Sequence, residues 1–243
     1  MIYKAREGQV TYGEAIGIIM MQTFMPFPPG SPGNASTFRY PVRYELVESA
    51  VMDRVVFNPD PAMLEPFLDA GRKLVRAGVK AITGNCGFMI LFQDDMAREL
   101  PVPVFMSSLL QLPFISRLLG PGEKIGIITA SKKTLTPEHL RAATAGANIP
   151  VAISGMEERP CFRSAIIKEE GELNFERVEA EVVDAARELA DGEGVKAILF
   201  ECTDLSPYAA AVQEATGLPV FDYTTMADHV FSGIVRERFL GIY

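Results

Sequence analysis

Positive charge is scarce in this chain. Lys and Arg number 23 against 31 Asp and Glu in 243 residues, for a net charge of −8 and a pI near 5.0. That balance excludes a broad phosphate-binding surface, and with it nucleic-acid binding as the main function, while leaving room for a local basic pocket. Long hydrophobic runs are also missing. Pro, Gly or a charge interrupts each one well short of the roughly 18 residues a membrane span needs, so no membrane partner is expected. The opening MIYKAREGQVTYGEA has no apolar core and does not read as a secretory leader. Cysteine is limited to three residues. An odd count without a leader argues for free thiols in a reducing, cytoplasmic compartment and against a disulfide framework. Only two histidines are present, His139 and His229, and without Ser or Asp at triad spacing they give little support to a hydrolase triad or a zinc site. What is present, 48% apolar and 22% charged residues, is the balance of a globular enzyme that can bury a sizeable core without cross-links.

The chain repeats itself. Gly13–Met20 (GEAIGIIM) and Gly122–Thr129 (GEKIGIIT) agree at six of eight positions, and Gly78–Cys86 (GVKAITGNC) and Gly194–Cys202 (GVKAILFEC) at six of nine. The second pair is offset by 116 residues, and the same offset carries Pro103-Val104-Phe105 onto Pro219-Val220-Phe221. The first pair is offset by 109, so the second unit holds about seven extra residues in between. Ordered similarity of this kind marks an internal duplication.

Within each unit strands alternate with helices. Short apolar runs suited to strands covered on both faces occur at Ile16–Met20, Val79–Gly84, Lys124–Thr129 and Val195–Phe200. Val42–Val47, Val102–Met106, Val151–Ser154 and Pro219–Phe221 complete the strands. Helical apolar stripes fall on Pro61–Ala77, opened by Asp60-Pro61 and stopped by Gly78, and on the segment from Phe175 to Leu189. Met89–Glu99 also reads as helix, Thr136-Pro137-Glu138 caps another, and Thr225–Phe239 closes the chain as a helix. The expected fold is α/β: two pseudo-symmetric domains, each a mainly four-stranded parallel sheet flanked by helices, with the active site in the crevice between them. Residues 1–112 with 224–243 form the first domain and 113–223 the second. A Pro/Gly-rich loop, Pro26–Phe38, follows the first strand on the side where open α/β sheets bind ligands.

Cys86 and Cys202 stand at equivalent points, each after a buried strand and before a helix. Amides at a helix start stabilise a thiolate and attract an anion, so both are expected to be reactive. Two thiols facing one carbon from opposite sides suit stereoinversion, one taking the α-proton and the other returning a proton to the far face. A lone cysteine is more often a small buried hydrophobe, but symmetric placement at two strand ends favours function. Cys161 has no counterpart and reads as structural or exposed.

The motifs GNCGF (Gly84–Phe88) and ECTDL (Glu201–Leu205), with the duplicated layout, resemble the aspartate/glutamate/hydantoin racemase superfamily over most of the chain. PPGSPGNASTF, SSLLQLPF (Ser107–Phe114) and ECTDLSPYAAAVQEATGLPVFD (Glu201–Asp222) resemble a poorly characterised racemase-like branch. The resemblance implies Cys86 and Cys202 as acid/base pair, no cofactor or metal, a homodimer, and Asn85, Gly87, Phe88 and Thr203 around a substrate carboxylate. This chain departs from the superfamily in having Cys86-Gly87-Phe88 where amino-acid racemases carry Cys-Asn-Thr. It also has Met20-Met21 where glutamate racemases carry Asp-Ser. Phe88, Met20, Met21 and Phe24 suggest a more apolar side group than that of glutamate.

Asn34 and Ser36 could donate to a carboxylate or simply shape their turn. Thr129 and Ser131 could touch substrate or only cap. Glu201 and Asp204, beside Cys202, could be no more than solvated. GPGEKIG (Gly120–Gly126) precedes its strand instead of following it and is not a dinucleotide loop. The expected activity is cofactor-independent racemisation or epimerisation of a small carboxylate or related carbonyl compound. The alternatives are a cysteine-dependent cis–trans isomerase or decarboxylase, and a non-catalytic small-molecule binding protein.

Overall fold

A computed structural model describes residues 2–242. In the first unit, β1 (Ile16–Met21) lies between β2 (Val42–Val47) and β3 (Ala81–Gly84), all parallel. The crossover helix α1 (Leu64–Ala77) starts after a turn in which the Asp60 carboxylate accepts from the Ala62 N–H, and it ends at Gly78, φ 97°. α2 (Gln93–Glu99) and α3 (Leu112–Leu118) lead into the second unit. There β4 (Lys124–Thr129) is followed by α4 (Pro137–Thr144), β5 (Val151–Gly155), the single turn α5 (Pro160–Phe162), α6 (Phe175–Ala190) and β6 (Val195–Phe200). α7 (Ala209–Thr216), β7 (Val220–Phe221) and α8 (Tyr223–Ile234) complete the order. The second sheet is parallel with order β5-β4-β6-β7, so β4 repeats the place of β1.

The repeated glycines of GEAIGIIM and GEKIGIIT have a packing reason. A Cβ on Gly17 would fall 2.9 Å from a methyl of Leu74 on α1, and one on Gly126 would fall 3.3 Å from a methyl of Leu189 on α6. In each unit the long helix presses its leucine directly onto the central strand, an approach that a side chain there would block.

Several expected elements come out shorter: Val79–Gly84 is a strand only over Ala81–Gly84, and Met89–Glu99 is α-helical only over Gln93–Glu99. The strand expected over Val102–Met106 is reduced to one bridge, Val104 beside Ile82, because Pro101 and Pro103 have no N–H to give to a ladder. The last helix stops at Ile234 instead of reaching Phe239, and residues 236–242 are exposed. α8 packs on the first sheet through Tyr223, Met226 and Ala227 against Ile16, Ile18 and Phe105. A single apolar cluster runs from Ile19 and Ile82 to Ile125, Ile127 and Leu199 of the second unit, so the two sheets share core. Among the described residues no helix is long and apolar enough to cross a membrane.

The duplication also extends to a feature the aligned residues do not reveal. Each unit carries a π-helical turn after its second strand, Asp53–Phe57 and Arg163–Ile167, offset by 110 residues. Asn58 N–H donates to the Asp53 carbonyl (2.7 Å) and Lys168 N–H to that of Arg163 (2.9 Å). Asp60 N–H bonds back to Arg54 (2.9 Å) and Glu170 N–H to Ser164 (3.2 Å). Side chains close both loops at the same places, Arg54 with Asp60 and Ser164 with Glu170. Single π turns of this kind concentrate at functional sites.

Candidate active site

β3 and β6 end in the same construction. After Gly84 come Asn85 and Cys86, then a six-residue 3-10 turn, Gly87–Phe92. After Phe200 come Glu201 and Cys202, then a six-residue 3-10 turn, Thr203–Tyr208. Each cysteine is the extended residue that opens its turn. Hydrogen bonds lock the two ends together. Thr203 Oγ1 donates to the Asn85 carbonyl (2.6 Å), while Asn85 Oδ1 accepts from the Met21 N–H (2.8 Å). Ser108 Oγ donates to the Phe200 carbonyl (2.6 Å).

The result is one cavity of about 30 Å³ lined by both Cys86 and Cys202. Asn85, Gly87, Phe88 and Thr203 line it as well. The remaining wall is mostly apolar: Met21, Met25 and Met52, with Val56 and Ile166 from the two π turns. Phe88 rests edge-on against His139, centroids 5.0 Å apart, and His139 is tied to its own helix start by the Thr136 N–H (3.2 Å).

Three expected contacts lie elsewhere. Asn34 does not line the cavity. Its side chain holds its own loop, accepting from Ser36 N–H (3.0 Å) and donating to the Phe27 carbonyl (2.9 Å). Ser131 is buried in the turn before α4, where its oxygens bond Thr134. Thr129 is buried one layer back and donates to Glu201 Oε2 (2.7 Å), so it reaches the cavity only through that carboxyl group.

Glu201 and Asp204 are not solvated; both are buried and both line the cavity. Burial pushes Glu201 up to about 7, against the lowering effect of the Thr129 hydroxyl and the Ala130 N–H. Burial alone pushes Asp204 up to about 7. Oε1 of Glu201 and Oδ1 of Asp204 have no hydrogen-bond partner. The available sequence signal was the position of Glu201 directly after Ala197–Phe200, an apolar run buried on both faces that carries its last residues into the interior.

These acids reverse the expected thiol chemistry. Burial raises Cys86 above the ordinary thiol range and the Glu201 charge adds to it, outweighing the N–H groups of Phe88 and Met89. Cys202 is raised by burial, then by Asp204 and Glu201. Short 3-10 turns offer a weaker dipole than a long helix, and burial, helped by two nearby carboxyl groups, overcomes it. No Lys, Arg or His lines the cavity.

Paired cysteines from duplicated strand ends, set in one cavity between two parallel sheets, coincide with a family match. Residues 59–228 match the Asp/Glu/Hydantoin racemase family. The chain belongs to that family. A dimethylsulfoniopropionate lyase of Durusdinium sp. clade D is 31% identical over 235 residues, covering 94% of this chain and 77% of the relative. Dimethylsulfoniopropionate lyase 6 of Emiliania huxleyi (strain CCMP1516) is 30% identical over 243 residues, with 94% of this chain and 62% of the relative covered. The chain thus spans less than two thirds of that second protein. Solved structures show the same fold at low identity. An aspartate racemase homologue from Pyrococcus horikoshii OT3 gives a TM-score of 0.57 at 18% identity, over 90% of this chain and 99% of the other. A variant of arylmalonate decarboxylase gives 0.62 at 15% identity, over 92% and 96%. The relatives carry lyase names and the solved structures of the same fold carry racemase and decarboxylase names.

Proposed function

We propose that this chain is a lyase that withdraws a proton from the carbon next to a carboxylate and expels a β-substituent, with dimethylsulfoniopropionate or a near analogue as substrate. The observation that carries it is the cavity itself: two thiols and two carboxyl groups meet there with no basic side chain. The two relatives above are lyases of that compound, which supports the choice.

The chemistry balances with protein groups alone. A thiolate of Cys86 or Cys202 takes the α-proton, and the C–H electron pair becomes the double bond. The β-carbon–sulfur bond breaks, and dimethyl sulfide departs with its electron pair, leaving acrylate. The backbone N–H groups of Gly87, Phe88 and Thr203 hold the substrate carboxylate, the Thr203 hydroxyl being spent on the Asn85 carbonyl. Each thiol is kept neutral first by burial and then by the negative charge around it; a sulfonium entering the cavity offsets that charge and favours the thiolate, so the substrate helps to make its own base. Nothing is oxidised or reduced, and the proposal includes no cofactor. The enzyme is proposed to be a cytoplasmic homodimer.

Racemisation is the second reading, favoured by the equivalent placing of the two cysteines at the same strand ends. One experiment separates the two. The chain is incubated in heavy water with dimethylsulfoniopropionate and, separately, with single enantiomers of small chiral carboxylates, and headspace sulfide, acrylate and α-deuterium are followed. Sulfide release that disappears in Cys86→Ser or Cys202→Ser supports the lyase. α-Deuteration of chiral carboxylates without any sulfide release supports the racemase.

A further inference from the structure

We infer that Asp204 anchors the positively charged group of the substrate, so that the cavity selects carboxylates bearing a sulfonium or quaternary ammonium over uncharged molecules of the same shape. The inference rests on reading this cavity as the substrate site, and it goes further by assigning the charge selectivity to one residue.

Two buried carboxyl groups line the cavity, and they differ in what they can still do. Glu201 is already engaged. Its Oε2 accepts from Thr129 Oγ1, and its Oε1, though without a hydrogen-bond partner, is shut against Gly87, where even a Cβ would be 2.2 Å away. Asp204 is 9% exposed, its Oδ1 has no partner, and no hydrogen bond offsets its desolvation. An acid this buried normally has an ion pair or several donors, and a cation is the missing complement. The lining supplies no Lys, Arg or His for that purpose.

The remaining wall suits an onium group and not a metal ion or an ammonium with N–H donors. Met21, Met25 and Met52 offer polarizable thioethers, and Phe88 offers an aromatic ring. Methylated cations are held by such surfaces together with one carboxylate, because they have no hydrogen to donate and little hydration to lose. Among the described residues no group of three or more His, Cys, Asp or Glu side chains is placed to hold a metal ion.

The test uses two probes of the same shape, 3-(trimethylammonio)propanoate and its carbon isostere 4,4-dimethylpentanoate, titrated calorimetrically into the full chain at pH 8. Wild type is expected to bind the ammonium compound at least about tenfold more tightly, as for a desolvated charge pair. Asp204→Asn should bring the two affinities within about twofold while leaving the isostere nearly unchanged, and Asp204→Glu should retain part of the preference. Equal binding of both probes by wild type, binding of neither, or a preference that survives in Asp204→Asn would overturn the assignment. A wild-type ratio near one overturns the assignment even if a variant folds poorly, and Asp204→Glu, which keeps the charge, supplies a second variant for the assignment to Asp204. The lyase reading fails separately. Onium preference without sulfide release keeps the anchor and removes the lyase, whereas sulfide release with a preference insensitive to Asp204→Asn does the reverse.

Discussion

Gly87 lies against Glu201 so closely that a Cβ on the glycine would fall 2.2 Å from both the Glu201 carbonyl oxygen and its Oε1. The residue after one cysteine thus touches the residue before the other, and this contact sets how near the two strand ends come. Gly87→Ala is therefore expected to force the ends apart. Overpacking of this kind costs about 1–3 kcal/mol, and misplacing reacting groups by about 1 Å costs about 100-fold in rate. The protein should fold with a lowered Tm and lose most of its kcat. Wild-type activity in Gly87→Ala would show that the spacing of the two ends is not critical.

The thiols should be unreactive at rest. With burial and two carboxyl groups raising both cysteines, iodoacetamide at pH 7.5 should label Cys86 and Cys202 more slowly than an unstructured cysteine, with the rate still climbing above pH 9. Peptide mass mapping over time checks this. Labelling faster than the free thiol would restore the helix-start picture drawn from sequence alone.

Much of this site was legible from residues. The repeated GVKAI…C placed both cysteines at strand ends, and the structure brings both to one cavity with Asn85, Gly87, Phe88 and Thr203. What the sequence hid was mostly a matter of surroundings. Whether Asn34 bonds a ligand or its own turn depends on which way its amide points, and it points inward to Phe27 and Ser36. The state of a thiol depends on the charges across the cavity, which belong to Glu201 and Asp204 and emerge only after folding. The π turns share no identical residue at matched positions, since each is defined by backbone hydrogen bonds that many side chains permit. The missing strand at Val104 was foreseeable, because Pro101 and Pro103 cannot donate to a neighbour.

Stability should reflect the cost of keeping Asp204. Its carboxyl group is raised to about 7 in the folded chain from an ordinary value of 3.8. Between those values the folded state binds the proton more tightly than the unfolded one, so the resulting stability is full below about pH 4 and is lost as pH rises towards 7. Asp204→Asn removes this loss. The variant should come close to wild type near pH 4 and exceed it in Tm at pH 8, while losing activity, the pattern of a residue kept for function at the expense of stability. Thermal melts across pH 4–9 check the sign. A variant less stable than wild type at pH 8 would mean that the carboxylate has a partner in the folded chain.

The two π turns should set the size of the substrate's leaving group. Val56 and Ile166 occupy matching places in turns closed by the same hydrogen bonds, and both line the cavity. The cavity, at about 30 Å³, has room for little more than one or two waters, so any carboxylate with a β-substituent must displace side chains as it enters. A π turn has one residue more than an α turn and can give it up locally, which makes these segments the natural part of the wall to yield. Trimming either residue should therefore open the cavity from its own side. Ile166→Ala is expected to cost about 2–5 kcal/mol of stability as a buried deletion, and Val56→Ala less because it removes fewer atoms. In return both should lower KM for substrates whose sulfonium carries ethyl or propyl groups, with smaller change for the dimethyl compound. The measurement is kcat/KM against a series of dialkylsulfoniopropionates for wild type and both variants. If the two variants shift preference alike, the π turns act as a matched pair. If only one shifts it, the leaving group leans towards that unit alone. Unchanged ratios in both would show that neither turn meets the substituent.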